Sequence, residues 1–223
     1  MRSRLLAAGM TSAAAIAVLV SGCGSPDDWS QPHAKPSPVG TLGPGFVNPA
    51  APPTPEATIT PSPGSWDGVR PSPGYRVVLL TAGDDPQTRT LVTAVTEWAE
   101  EEQISLKIVT ADEPGQLIEH IVEAIDLGPD LVISAGNDLV DPLAVVTASH
   151  LDQQFLVLGA ELAEPTANVT AANWTGASFR GEGLGMSSTY DPASITPERA
   201  AAAVRAGVAS VLNGLTGIVI RLD

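Results

Sequence analysis

Cys23 is the only cysteine in the 223-residue chain, and its surroundings give that one sulfur a specific chemistry. Arg2 and Arg4 supply a basic start, Leu5 to Val20 form an apolar run of about 16 residues, and the small residues Ser21 and Gly22 precede the thiol. A positive region, a hydrophobic region and small residues at a cleavage point make up a bacterial lipoprotein signal. Cleavage before Cys23 would leave a palmitate-type acylated cysteine as the first mature residue. The chain would then be tethered to the extracytoplasmic face of the cell membrane. Two other readings fit the same residues: an ordinary secretory signal with a chance cysteine, and a short anchor helix. The run is short for a membrane span, which needs about 20 residues.

The other groups suited to chemistry are acids and an amide that follow strand-like runs: Asp84 and Asp85, then Asn137 and Asp138, then Glu161. Gathered at one edge, they could hydrogen-bond a small polar solute. Asp84, Asp85, Asp138 and Asp141 could instead hold a hard cation. The simpler use of Asp138 and Asp141 is to cap and charge the start of a helix, and neither metal nor cofactor is expected. His33 lies in the Pro-rich stretch, and His120 and His150 stand within or at the end of helices without acidic partners at ligand spacing. No GxSxG, Walker A or GxGxxG turn is present, and Gly181-Glu182-Gly183-Leu184-Gly185 does not lead from a strand into a helix. Catalysis therefore has no motif in its favour, and no enzyme is expected. Trp174 and Phe179 are suited either to stacking on a ligand or to packing.

Alternating elements must position these groups. Residues 1–22 are the leader. Residues 23–74 carry the acylated cysteine and a Pro-, Ser-, Thr- and Gly-rich stretch, which composition marks as an extended, disordered linker. Residues 75–223 should form one domain with a real core. Arg76-Val77-Val78-Leu79-Leu80, Ile104 to Thr110, Asp130 to Ser134 and Phe155 to Gly159 read as strands, with a shorter one over Asn168 to Trp174 and a last one at Ile218-Val219-Ile220. Between them, Gln87 to Glu102, a segment opened by Pro114, and Leu139 to Val146 place apolar residues at helical spacing. Thr196 caps a fourth helix, with Pro197 at its first position. Near-unbroken apolar strands alternating with amphipathic helices mean a parallel sheet buried on both faces, hence a three-layer α/β sandwich. Right-handed crossovers then bring every strand-to-helix loop to one edge of that sheet. Ligands of open α/β sheets bind at that edge.

The formal net charge is −14, and the acids concentrate after Tyr75. Such a domain repels phosphate backbones, which excludes nucleic acid as a natural partner. With one cysteine no internal disulfide is possible.

Three stretches resemble the basic membrane protein (BMP) family of lipoprotein substrate-binding proteins, which serve ABC importers. One is Pro129 to Gly136 with the helix after it. The second is Gln154 to Gly159, followed by Asn168-Val169-Thr170 and Ser178-Phe179-Arg180-Gly181-Glu182-Gly183. The third is Ile195-Thr196-Pro197-Glu198 with its helix and Asn213-Gly214. The resemblance implies a periplasmic-binding-protein-like fold, a small-molecule ligand and an ABC permease as partner. The family has two lobes, yet only ten residues separate Gly183 from Ser194, so a single lobe is expected here. Asp84-Asp85-Pro86-Gln87-Thr88 also lacks the aromatic residue that would stack on a nucleoside. A solute-binding lipoprotein using Asp84, Asp85, Asn137, Asp138 and Glu161 is the expectation. The alternative is a lobe without its mate that serves as a protein-interaction module. A homodimer that restores a two-sided cleft belongs with either reading.

Overall fold

The computed structural model describes residues 28–111 and 113–223; the expected leader and the expected acylation at Cys23 lie outside the described residues. Seven strands form one parallel sheet in the order β2-β9-β8-β7-β6-β4-β5. They are β2 (Thr58–Ile59), β4 (Arg76–Ala82), β5 (Ser105–Ala111), β6 (Leu131–Ala135), β7 (Phe155–Leu158), β8 (Val169–Asn173) and β9 (Val219–Arg221). β1 (Pro38–Val39) and β3 (Arg70–Pro71) make a separate antiparallel pair. The apolar runs take strand form because both sheet faces are covered. Val77 to Leu80 and Leu131 to Ile133 are fully buried, each side chain contributing about 1.5–3 kcal/mol of burial.

Helices α1 (Pro86–Glu101) and α4 (Pro197–Leu212) cover one face, where Leu91, Val95, Trp98, Val204 and Val208 join a core with Leu79, Ile133 and Leu156. Helices α2 (Leu117–Asp126) and α3 (Val140–Val146) cover the other, with Ile121 and Leu143 against Val78, Leu80 and Val132. The three-layer α/β sandwich is therefore present. Both long helices start as their sequences demand. Asp85 accepts hydrogen bonds from the Gln87 and Thr88 N–H groups, Thr196 accepts one from Arg199, and a proline follows each cap. Gly207 lets α4 approach the sheet closely, because a Cβ there would lie 2.5 Å from Leu156 Cδ1.

The chain leaves β4 through α1 to reach β5 at the sheet edge, then returns past β4 to β6 and continues outward in the opposite direction. The winding thus reverses between β4 and β6, which are hydrogen-bonded neighbours.

The expected disordered linker over 23–74 is corrected for residues 38–74, which fold onto the domain. Phe46 and Trp66 are buried with the α1/α4 core. Thr58–Ile59 adds a strand alongside Val219–Ile220, while the Gly43 N–H donates to Ser65 O and the Ser62 N–H to Gly45 O. The cause is local: a few aromatic anchors and an unpaired sheet edge suffice to order a segment whose average composition is poor in apolar residues. The domain accordingly begins well before Tyr75.

Residues 28–33 dock at the amino ends of the strands. Trp29 donates from Nε1 to Ser105 Oγ at 2.7 Å. Its ring is flanked by Arg76 and by Lys107, whose Nζ is 4.4 Å from the ring centroid. Arg76 also donates to the backbone oxygens of Trp29 and Gln31. Two histidines have acidic partners, for His120 contrary to expectation. His33 Nε2 is 2.8 Å from Asp130, and His120 Nδ1 is 3.0 Å from Glu123. Each has one carboxylate, and no group of three or more metal-ligating side chains occurs among the described residues. Among the same residues, no helix is long and apolar enough to cross a membrane.

Candidate functional site

The reversal of winding leaves a crevice at the carboxyl ends of β4 and β6, where ligands of open α/β sheets bind. Two glycines shape it. Gly83 leaves β4 with φ +76° and Gly136 leaves β6 with φ +110°, a region that side chains disfavour. A Cβ on Gly136 would also meet the Ala82 carbonyl oxygen at 3.1 Å. The crevice holds a cavity of about 370 Å³, lined by Ala82, Gly83, Asn137, Asp138, Asp141, Phe179 and Glu182 among others. That volume lies within the range of small-molecule pockets, about 300–1,000 Å³.

The lining is acidic, with Asp138, Asp141 and Glu182 and no lysine or arginine. Asp138 is exposed. It sits in the short 3₁₀ turn Asn137–Leu139, whose preceding residue is Gly136, and makes no cap. Asp141 does not cap its helix either; Oδ2 accepts from the Glu182 N–H at 3.1 Å. It thereby ties the chain that crosses over the sheet edge to α3.

The expected site residues divide between two places. Asn137 and Asp138 line the cavity, and Asp85 is close beside it, since a Cβ on Gly83 would lie within 4 Å of both the Asp138 and the Asp85 carboxylates. Burial acts to raise the Asp85 pKa, but hydrogen bonds from the Thr88 hydroxyl and from the Thr88 and Gln87 N–H groups outweigh it and hold the carboxyl below its usual range. Asp84 is exposed, with its backbone carbonyl bonded to Arg89 and its side chain outside the lining.

Glu161 belongs elsewhere. It is buried, 3.3 Å from Arg180 Nε, and accepts from Asn173 Nδ2 at 3.1 Å. It faces a separate cavity of about 210 Å³ that also contains Arg180 and Arg221. The divider is the segment after Trp174. Phe179 pairs with Ala160 and its carbonyl accepts from the Glu161 N–H. Consecutive side chains then point to different places, Phe179 to the acidic cavity and Arg180 to the other. Trp174 is fully buried, donating from Nε1 to Ser194 Oγ at 3.1 Å, so it packs rather than stacks.

Sequence reasoning passed over Glu182 and Tyr190. Tyr190 is half-buried, and its phenol pKa is raised by burial and by the Asp85 charge, while a hydrogen bond with Asn137 pulls the other way. Both residues come from an aperiodic Gly/Ser-rich stretch. A larger hollow of about 470 Å³ lies along Pro86, Thr90, Thr93 and Glu97 of α1, with Pro197 of α4 completing its lining.

No protein-family model matches the chain, and no curated protein matches it in sequence. Among solved structures, it is similar to an ABC transporter solute-binding protein of Aeropyrum pernix K1 at 19% identity and a TM-score of 0.42, covering 46% of this chain and 29% of that one. A fragment from Peptoclostridium difficile 630, described as a lipoprotein, matches at 16% identity and a TM-score of 0.46, covering 62% of this chain and 98% of the fragment. A periplasmic ribose ABC transporter protein of Conexibacter woesei DSM 14684 matches at 18% identity and a TM-score of 0.34, covering 66% and 54%. The chain thus spans about a third to a half of the two transporter proteins.

Proposed function

We propose that this chain is a lipid-anchored extracytoplasmic solute-binding protein that presents a small polar, preferably cationic solute to an ABC permease. The observation that carries the reading is the acidic cavity at the reversal of winding between β4 and β6. Asp138 supplies the open carboxylate, Asn137 supplies a neutral hydrogen-bonding group, and Asp141 holds the Glu182 turn in place. Binding, not catalysis, is the role these groups suit. The BMP resemblance fits a single lobe of this kind.

Thermal unfolding of the full-length chain in detergent, against polyamines, sugars and nucleosides, tests the site. A saturable rise in Tm with one class, abolished in Asp138→Asn, is the expected result; flat responses to all of them reject the reading. A second reading rests on Leu184 and Met186, 51% and 45% exposed beside the cavity-lining Glu182. These apolar side chains suit docking to a protein or to a second copy of the chain. In that case Leu184→Ser/Met186→Ser lowers the mass measured in solution by sedimentation.

A further inference from the structure

The smaller cavity has a different chemistry from the acidic one and does not depend on it. It is lined by Glu56, Thr58, Glu161, Arg180, Ser187 and Arg221, with apolar walls from Leu162, Pro165 and Val219. Two of its charges are already spent on each other: Arg180 lies against Glu161 and donates from Nη2 to Ala163 O. The other two are not. Among the described residues, Arg221 has no carboxylate within ion-pair distance and donates only to Ser187 Oγ, at 2.9 Å. Glu56 has no cation partner among those residues. An unpaired guanidinium and an unpaired carboxylate thus face one cavity without meeting each other.

The register explains why they stay apart. The Glu56 N–H donates to Gly217 O, and Thr58 aligns with Val219. Glu56 is therefore four strand positions from the level of Arg221, a backbone offset of about 13 Å at 3.3 Å per residue. Both side chains reach into the same space, so the gap between their charged ends is shorter than that offset. It still exceeds an ion pair.

One more observation points to a ligand. Glu56 has φ +63°, in the left-handed region, where a residue with a Cβ is strained and glycine or asparagine is the usual occupant. Strain of this kind gathers at binding sites.

We infer that this cavity binds a zwitterionic amino-carboxylate whose two charges are several ångströms apart, the carboxylate on Arg221 and the ammonium on Glu56. Such a solute is an ω-amino acid or a short peptide. A carboxylate matches the guanidinium fork, and the apolar walls receive the methylene chain. At about 210 Å³ the site is smaller than drug-sized pockets.

Calorimetric titration of the full-length chain in detergent with glycine, 4-aminobutyrate, 6-aminohexanoate, hexanoate and hexylamine tests this. Saturable binding of 4-aminobutyrate or 6-aminohexanoate is expected, with at least ten-fold weaker binding of glycine and of the singly charged compounds. Arg221→Gln should abolish it, and Asp138→Asn in the other cavity should leave it unchanged. Glu56→Gly supplies a control that cannot be mistaken for misfolding: it should raise the Tm of the free protein by relieving the left-handed strain, yet abolish binding. Absence of binding by either ω-amino acid, equal binding of glycine, or binding that survives Glu56→Gly overturns the inference.

Discussion

The two cavities beside the crossing segment use acidic residues in opposite ways. At the β4/β6 crevice Asp138 is exposed and has no ion-pair partner among the described residues. Beyond Phe179, Glu161 is 5% exposed and held by Arg180 and Asn173. The first carboxylate costs the fold little because water solvates it. The second is tolerated only because its partners replace water. Net charge alone would have treated both as one acidic surface. Burial separates the group available to a ligand from the group required by the structure.

The sharpest test of that contrast removes one partner from the buried side. Arg180→Met leaves Glu161 in place with Asn173 as its only side-chain partner, and should destabilise the fold by about 2–3 kcal/mol. The figure is held below that of a fully buried pair because the Arg180 side chain is 35% exposed. Glu161→Gln added to Arg180→Met should recover most of the loss, since an amide tolerates burial better than an unpaired charge. Asp138→Asn should change stability by no more than about 0.5 kcal/mol. Urea unfolding of the four proteins measures all of these. Equal losses for Arg180→Met and Asp138→Asn would erase the distinction between the two sides.

A second test lies within the acidic side. Asp85 is the cap of α1 and also borders the cavity, so it joins fold and site in one side chain. Asp85→Ala should cost about 1 kcal/mol at neutral pH. The folded-state pKa of Asp85 is lowered. Its contribution is therefore fully present above the unfolded carboxylate value, about 3.9, and is lost as pH falls through the folded value. Wild type and Asp85→Ala should converge in stability as the medium becomes strongly acidic. A gap that persists there would assign the loss to packing rather than to the charged cap.

Much of this arrangement could be read before folding, but unevenly. Apolar runs such as Val77 to Leu80 and Leu131 to Ile133 can only be strands buried on both faces; β4 runs two residues beyond its expected end, and β6 is shifted by one residue at unchanged length. The loops after those strands followed from crossover handedness, which is why Asn137 and Asp138 could be placed at the crevice whose cavity they line. Glu161 also follows a strand, but the same rule could not show that Phe179 and Arg180 would come between. Their segment has no period, and its path is set by pairing with Ala160. Glu56 was hidden for another reason. It lies in a Pro-rich stretch whose order depends on Phe46, Trp66 and a two-residue strand, too few residues to register as a pattern.

The smallest expected effect concerns Tyr190, contributed by that same aperiodic segment. Burial and the Asp85 charge oppose ionisation of its phenol, while Asn137 of the loop after β6 acts the other way. Tyr190→Phe removes the hydroxyl and keeps the ring, so it should cost no more than about 0.5 kcal/mol. Absorbance titration separates this site from the other tyrosine. Tyr75 is buried and its pKa is driven far above the usual phenol range, chiefly by that burial and further by Asp130. In the folded protein only Tyr190 should then ionise on mild alkalinisation, at a pH above the ordinary value of about 10. Its folded pKa is the raised one, so a phenol still protonated supports the fold below the unfolded pKa, and that support fades as pH rises. Asp85→Asn should move the Tyr190 titration downward by removing the nearby negative charge. A titration indifferent to Asp85→Asn would detach Tyr190 from Asp85 and leave burial alone to account for its raised pKa.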